Sequence, residues 1–238
     1  LESFDLHPKG HTLATVHRGG LFVMGLWEGA PLRLGKVSST RYRLGSWLPD
    51  GDRIVATTDE DGDEHLIVFS IGSNQEPKRI RGDFGRVSEL FVAPGDALEK
   101  PESANPAGDE KNKAKKKSKK KQKAAPDQVA VTNNRHELIL VNLNTGDSKV
   151  IDRSPYHRIA GVDWSPDSRW IAFGHSASER TSSIRLFEIE TGKITTLTRP
   201  DFFDVEPSFD PDGKYLNFIS WRVFNPTYDS HYFDLGFP

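Results

Sequence analysis

The sequence of 238 residues lacks cysteine altogether, so neither a disulfide framework nor a cysteine-ligated zinc site can stabilise its fold. Its apolar runs are short, and none approaches the ~18 residues that a membrane-spanning helix needs. The first residues do not form the basic-then-apolar pattern of a secretion signal. From these absences we expect a cytoplasmic protein that makes no membrane contact and needs no cofactor.

Motifs of the common enzyme classes are missing as well. There is no His-Glu-x-x-His helix, no Walker loop and no Gly-x-Gly-x-x-Gly turn. The nearest approach to a nucleophile elbow, residues 174–178, reads Gly-His-Ser-Ala-Ser and lacks the second glycine. The acidic run of residues 59–64 has its glycine misplaced for a helix-loop-helix calcium site, so we predict a hairpin tip there. We therefore predict no catalytic, cofactor-binding or metal-binding residue in this chain.

What the sequence does contain is a recurring turn phrase. It reads Trp-Leu-Pro-Asp-Gly at 47–51, Trp-Ser-Pro-Asp-Ser at 164–168 and Phe-Asp-Pro-Asp-Gly at 209–213, with weaker copies at 6–10 and 91–95. The prolines of these phrases are spaced by 41, 45, 72 and 45 residues. The long spacing also falls into the forties once residues 97–127 are set aside. A period of this length is typical of one propeller blade.

One repeat is predicted to form four short strands, most clearly at residues 161–165, 170–174, 183–189 and 193–198. Proline presets φ for a tight turn, and the following Asp hydrogen-bonds its own backbone, so the first two strands form a hairpin. The second strand of each repeat is apolar enough to be buried on both faces. Blades stacked around an axis bury such faces, and a sandwich does not account for the regular phrase. We predict an all-β propeller of four-stranded blades, with about five blades present, the first and last incomplete.

The charge is unevenly distributed along the chain. Residues 97–127 hold ten lysines and five acidic residues, whereas the rest of the chain is acidic. This segment lacks the apolar residues of a core, so we predict a disordered insert between the first two strands of the third blade. Because no aromatic residues are interleaved with the lysines, we expect no nucleic-acid partner. The predicted organisation is blades at 1–96, the insert at 97–127, blades at 128–220 and a closing segment at 221–238.

Three arginines occupy comparable places in their repeats: Arg41, Arg86 and Arg158 each precede by five or six residues an aromatic near the end of a first strand. In a propeller these positions lie near one mouth of the central channel. A partial ring of guanidinium groups there could bind peptide carboxylates, since arginine matches a carboxylate in a planar fork. The alternative is that the three arginines form ion pairs between blades.

The C-terminal part carries a more specific signal. Residues 202–216 read Phe-Phe-Asp-Val-Glu-Pro-Ser-Phe-Asp-Pro-Asp-Gly-Lys-Tyr-Leu, residues 224–229 read Phe-Asn-Pro-Thr-Tyr-Asp, and residues 233–238 read Phe-Asp-Leu-Gly-Phe-Pro. In these phrases the chain resembles the tricorn protease family, in which a six-bladed and a seven-bladed propeller precede the catalytic part. The resemblance implies that the chain forms roughly the last five blades of the second propeller. The lysine-rich insert and Trp221 depart from the family pattern.

The resemblance also implies a function. The parent would be a cytoplasmic serine peptidase that degrades oligopeptides and assembles as a toroidal homohexamer, and this propeller would be a non-catalytic channel that filters peptide substrates by size. The family's catalytic Ser, His and Glu would lie downstream of Pro238. A TolB-like or WD-like propeller that binds protein partners remains the alternative. A prolyl-oligopeptidase-type propeller would require a following domain with Gly-x-Ser-x-Gly.

Overall fold

The computed structural model describes residues 2–37, 40–73, 75–95 and 127–222, and all regular secondary structure in these ranges is β-strand. Three antiparallel sheets have four strands each, and a fourth sheet combines a four-stranded unit with two further strands. The prediction of an all-β protein built from four-stranded blades is therefore confirmed. The lysine-rich residues 97–126 and the closing phrase 224–238 lie outside the described residues.

The strands of the blades follow one another in chain order. Blade 1 contains β1 (Ser3–Leu6), β2 (Thr12–His17), β3 (Gly20–Gly25) and β4 (Leu32–Leu34). Blade 2 contains β5 (Tyr42–Trp47), β6 (Arg53–Thr58), β7 (His65–Ser70) and β8 (Lys78–Ile80). Blade 3 contains β9 (Val87–Val92), β10 (Gln128–Asn133), β11 (Glu137–Asn142) and β12 (Ser148–Arg153). Blade 4 contains β13 (Asp163–Trp164), β14 (Trp170–Ser176), β15 (Ser182–Glu188) and β16 (Ile194–Thr196), and blade 5 contains β17 (Phe203–Phe209) and β18 (Leu216–Trp221).

The Pro-Asp phrase forms the turn between the first two strands of a blade. In blade 2 the Asp50 carboxylate accepts hydrogen bonds from the backbone N–H groups of Asp52 and Arg53, at 2.9 and 3.1 Å. The chain reverses at Gly51, whose φ of 74° lies in the left-handed region that glycine enters without steric cost. The recurring turn phrase thus produces recurring hairpins.

Neighbouring blades share apolar cores because successive side chains of a strand point to opposite faces. On β6, Ile54 packs into the core between blades 1 and 2, whereas Val55 packs into the core between blades 2 and 3. On β10, Val131 faces blade 2 and Ala130 faces blade 4. The second and third strands of each inner blade are therefore buried on both faces, as their apolar sequences predict.

The first strands β1, β5, β9, β13 and β17 contact one another in succession, which places them at the axis. Among the described strands, β1, β5, β9 and β13 each pair with only one neighbour, the second strand of their own blade, so the axis-side edge of each is unpaired. The segment 97–127 joins β9 to β10, which are hydrogen-bonded to each other. Blade 3 is therefore built from one strand that precedes this segment and three strands that follow it.

Both terminal blades were predicted to be incomplete, and the structure shows that they differ from each other. Blade 1 has all four strands, contrary to the prediction. Blade 5 has two strands within residues 203–222, where the described part ends, and it is joined to blade 4 by a parallel pairing of Phe203 with Ser182. Both outward faces expose large apolar side chains: Phe4 is 65% exposed and Trp221 is 62% exposed. Such faces are those that a further blade would cover in a closed ring.

Candidate functional site

A cavity of about 480 Å³ lies at the axis, at the end of the first strands where the Pro-Asp turns begin. We call it the turn-side cavity. Four blades contribute to its lining, with Asp5 from β1, Trp47 from β5, Phe91 from β9, and Asp163 and Trp164 from β13. The repeat therefore delivers equivalent side chains from several blades to one place.

Two aspartates of this cavity connect the inner strands of adjacent blades. The Asp5 carboxylate Oδ2 accepts hydrogen bonds from Ser46 Oγ at 2.7 Å and from the Trp47 backbone N–H at 2.8 Å. In the same way, Asp163 Oδ2 accepts from the Phe209 backbone N–H at 2.7 Å. Carboxylates that accept backbone N–H groups form comparatively strong hydrogen bonds. The two contacts fix the spacing of the inner strands at this end of the channel.

Sequence reasoning missed these aspartates, although the repeat contained the signal. Asp5 and Asp163 each stand three residues before the turn proline, Pro8 and Pro166, and the donors Trp47 and Phe209 stand two residues before theirs. An alignment of the repeats on proline would have placed both carboxylates opposite the same donor position of the next blade.

Two tryptophans at equivalent positions differ in the hydrogen bonding of their indole N–H groups. Trp164 Nε1 donates to the Phe91 carbonyl oxygen at 3.1 Å and so links blades 3 and 4. Trp47 Nε1 is buried and has no hydrogen-bond partner within the described residues. Both indoles are 5% exposed and pack in cores between blades. Both tryptophans therefore line the turn-side cavity and pack in the cores between blades.

The turn-side cavity carries negative charge only. Its described lining contains Asp5 and Asp163 but no lysine, arginine or histidine. Within the described part of the chain neither carboxylate has an ion-pair partner. The remaining walls are mostly apolar, so this end of the channel is an apolar space with two unneutralised carboxylates.

A second cavity, of about 720 Å³, lies at the other end of the inner strands of blades 2 and 3. We call it the hairpin-side cavity because the β6–β7 hairpin forms one wall. Arg43 pairs with Glu64 at 2.7 Å and also donates to the Val87 carbonyl oxygen at 3.0 Å. The second oxygen of Glu64 accepts from the Val87 backbone N–H at 2.7 Å. Both members of this ion pair belong to blade 2, and each is hydrogen-bonded to the Val87 backbone of blade 3.

The three arginines selected from the sequence do not share one site. Arg41 and Arg86 line the hairpin-side cavity, whereas Arg158 lines a separate space of about 300 Å³ between blades 4 and 5. Arg41 pairs with Glu2 of blade 1 at 3.3 Å, which is the interblade ion pair that the alternative interpretation expected. The guanidinium of Arg86 makes no ion pair within the described residues.

The acidic run of residues 59–64 forms the β6–β7 hairpin, and basic side chains surround it. Glu60 pairs with Lys36 and with Arg79, the latter at 3.0 Å, and Asp61 pairs with Arg81 at 2.6 Å. The hydrogen bond from Lys36 lowers the pKa of Glu60 from its ordinary value. Among the described residues, no group of three or more His, Cys, Asp or Glu side chains is arranged to hold a metal ion.

A buried charged cluster connects blades 3 and 4 on the hairpin side. Asp152 Oδ2 lies 3.0 Å from His175 Nδ1 and 2.7 Å from Arg185 Nη1. Burial by itself would raise the pKa of Asp152, but the close contact with His175 and the hydrogen bond from Arg185 outweigh it and hold this pKa below its ordinary value. The cluster is thus another charged interblade contact at the hairpin end.

Stacked four-stranded blades around an open axis define the class of protein as a β-propeller. Within the described residues no helix has the length and apolar character to span a membrane. Residues 97–238 match the family model described as the tricorn protease second beta propeller domain. The chain therefore belongs to the tricorn protease second-propeller family.

Individual relatives agree with this assignment. The chain is 32% identical over 225 residues to a putative tricorn-like protease C-terminal subunit of Sulfurisphaera tokodaii, which covers 94% of this chain and 22% of the relative. It is also 32% identical over 229 residues to a tricorn protease homolog of Saccharolobus solfataricus, which covers 96% of this chain and 18% of the relative. The chain thus spans about a fifth of the length of these curated relatives.

Solved structures share the fold. A crystal structure of the tricorn protease matches with a TM-score of 0.68 and 22% identity, over 97% of this chain and 21% of that chain. A putative TolB from Agrobacterium tumefaciens matches with a TM-score of 0.60 and 18% identity, over 94% of this chain and 72% of that chain. At these identities the likeness establishes the propeller architecture alone.

Proposed function

We propose that this chain is a non-catalytic propeller segment of a tricorn-like serine peptidase, and that its channel admits oligopeptide substrates and filters them by size. The parent peptidase acts in the cytoplasm as a homohexamer in this proposal. The observation that carries it is the open axis, where four inner strands with free edges line one cavity. Membership of the tricorn second-propeller family supports the link to a peptidase.

The dimensions of the channel favour extended peptides. An inner strand of six residues such as β5 (Tyr42–Trp47) is roughly 20 Å long, at about 3.3 Å per residue. An extended peptide of about six residues would therefore span it. A folded domain of about 100 residues has a radius of gyration near 13 Å, too large for a cavity of about 480 Å³. Packed cores between the blades make the walls resistant to widening.

The arginines of the hairpin side have a place in this proposal. Arg86 lines its cavity without an ion-pair partner among the described residues, so its guanidinium is available to a peptide carboxylate. Arg41 lines the same cavity, and Arg158 lines the cavity between blades 4 and 5. All three arginines stand eight residues before the turn proline of their blade. We propose that these three arginines contact substrate carboxylates as peptides enter.

A plug in the channel tests the filter directly. Leu90 is half-buried and lines the turn-side cavity, so Leu90→Trp in the full-length peptidase fills part of the passage. We expect it to slow hydrolysis of an oligopeptide of about ten residues several-fold more than hydrolysis of a dipeptide substrate. Leu197→Trp is the matched control, because Leu197 is 47% exposed away from this cavity.

The same comparison can overturn the proposal. Equal rates for Leu90→Trp and Leu197→Trp on the longer peptide, with both proteins folded, would mean that substrates do not pass this channel. A propeller that binds protein partners, as in the TolB-like alternative, would then be the better account.

A further inference from the structure

We propose that the turn-side cavity binds a cationic group of an extended peptide, either its α-amino terminus or a lysine or arginine side chain. This inference rests on the proposed passage of peptides through the channel. It adds a binding site at a defined end of that channel and the chemical class of its ligand.

The carboxylates provide the first step. The described contacts of Asp5 and Asp163 use only Oδ2 of each side chain. Oδ1 of each is therefore left to accept a hydrogen bond from a ligand, since an ionised carboxylate can accept at both oxygens. The interblade hydrogen bonds hold both side chains in place, so a ligand would find them already oriented.

The surroundings of the carboxylates provide the second step. No basic residue occurs in the described lining of the cavity, so neither negative charge is neutralised there. The walls include Trp47, Phe91 and Trp164, and apolar walls reduce the dielectric screening of a charge pair. Phe91 is only half-buried, and an aromatic ring is itself attracted to a cation. Charge and walls together select a cationic group over an anionic or neutral one.

The opposite end of the channel provides the third step. The hairpin-side cavity contains Arg86, whose guanidinium makes no ion pair within the described chain, beside the carboxylates of Asp59, Asp63, Glu64 and Asp83. A peptide of about six residues spans an inner strand, as estimated above from the rise per residue. Its carboxylate at Arg86 and its amino group at Asp5 or Asp163 would satisfy both ends at once. In this arrangement the N-terminus of the peptide points toward the Pro-Asp turns.

Intrinsic tryptophan fluorescence of the full chain measures this binding, because Trp47 and Trp164 line the cavity. The probes are three alanine-serine hexapeptides with amidated C-termini: one with a free α-amino group, one N-acetylated, and one N-acetylated with a lysine at its second position. We expect the free-amino peptide to bind about tenfold more tightly than the acetylated one, because a charge-assisted hydrogen bond contributes on the order of this factor. Tighter binding of the lysine peptide than of the acetylated peptide without lysine would show that a lysine side chain can also occupy the cavity.

Substitution identifies the acceptors. In the double variant Asp5→Asn with Asp163→Asn, the amide oxygen can still accept the interblade hydrogen bonds, but the charge is lost. We expect the double variant to bind the free-amino peptide and the acetylated peptide with about equal affinity. Asp167→Asn is the matched control. Asp167 lies in a Pro-Asp turn outside the described cavity lining, and this substitution also replaces a carboxylate by an amide. The thermal midpoint of each variant shows that it is folded.

Two results would overturn the inference. One is equal affinity of the free-amino and acetylated peptides for the unsubstituted chain. The other is an unchanged preference in the folded double variant. This experiment and the Leu90→Trp experiment can fail independently. If the free-amino peptide binds more tightly but Leu90→Trp does not slow hydrolysis, the cation site stands and the size filter is wrong. If Leu90→Trp slows hydrolysis but the two peptides bind equally, the size filter stands and the cation site is wrong.

Discussion

The two ends of the inner strands are held together by different chemistry. At the turn end, Asp5 and Asp163 accept uncharged backbone N–H groups of the next blade, and Trp164 donates to a carbonyl oxygen. At the hairpin end, the Arg43–Glu64 ion pair of blade 2 hydrogen-bonds to the Val87 backbone of blade 3, and Asp152 of blade 3 pairs with Arg185 of blade 4. The turn-end contacts follow the repeat where an aspartate stands three residues before the turn proline, at Asp5 and Asp163, whereas blades 2 and 3 have Ser46 and Phe91 at this position. The hairpin loops vary in sequence and use charged side chains.

The largest expected effect is at the turn end. Trp164→Ala removes an indole that packs in the core between blades 3 and 4 and also hydrogen-bonds to Phe91. We expect it to lower the free energy of unfolding by about 3–5 kcal/mol, the usual cost of such a truncation. Urea denaturation followed by far-UV circular dichroism measures the change. Tyr156→Ala is the control, because Tyr156 lies in the loop between β12 and β13 and is 47% exposed, and we expect a change within about 0.5 kcal/mol.

A smaller effect separates hydrogen bonding from charge at Asp5. Asp5→Ala leaves Ser46 Oγ and the Trp47 N–H without their acceptor, which should cost about 1–3 kcal/mol. Asp5→Asn retains an acceptor oxygen and should cost about 1 kcal/mol or less. Denaturation of both variants beside Asp52→Ala, an exposed turn residue, makes the comparison. Equal losses for Ala and Asn would mean that charge, and not the hydrogen bonds, stabilises the turn end.

The hairpin end should respond to acid through Asp152. Because the folded state lowers the pKa of this carboxyl, its contribution is complete above the unfolded-state pKa and is lost as the pH falls through the lower folded-state pKa. The relevant range therefore lies below about pH 4. We expect Asp152→Asn to cost about 1 kcal/mol at pH 7 and to weaken the dependence of stability on pH below pH 4. Unfolding free energies measured from pH 2 to pH 7 test this; parallel curves for the two proteins would count against it.

The smallest effect should come from the exposed pair of Arg41 and Glu2, whose side chains are 53% and 37% exposed. Arg41→Ala should cost about 0.5 kcal/mol or less, and the difference should vanish in 1 M salt, because exposed pairs are weak and screened. Arg43→Ala is the reference and should cost more, since Arg43 is better buried and also donates to a backbone carbonyl. A larger loss for Arg41 than for Arg43 would reverse the ranking of the hairpin contacts.

Local patterns were sufficient to predict the blades. The turn phrase and the apolar second strands indicated the order of strands, and the structure places a tight hairpin at the phrases of residues 6–10, 47–51, 164–168 and 209–213. The completeness of blade 1 was missed because its first strand is short and half-exposed, so residues 3–6 carry little apolar signal. The parallel pairing between Ser182 and Phe203 was also missed, since such a contact depends on how two blades meet and not on either strand alone.

The candidate site was predicted less well than the fold. Equal spacing suggested that three arginines would lie near one mouth of the channel; Arg41 and Arg86 line one cavity and Arg158 lines another, because each cavity lies between two particular blades. Asp5 and Asp163 were overlooked as single acidic residues, since their roles arise only when the next blade supplies an N–H donor. Spacing along the chain thus identified equivalent positions, while their partners depended on packing between blades.

The most direct measurement is the structure of the full-length protein bound to an uncleaved extended hexapeptide with free termini. We predict peptide density along the inner strands, with the amino end beside Asp5 or Asp163 and the carboxylate end toward Arg86. An empty channel, with the peptide bound only to the outer surface of the blades, would contradict the central claim that this propeller is a passage for peptides.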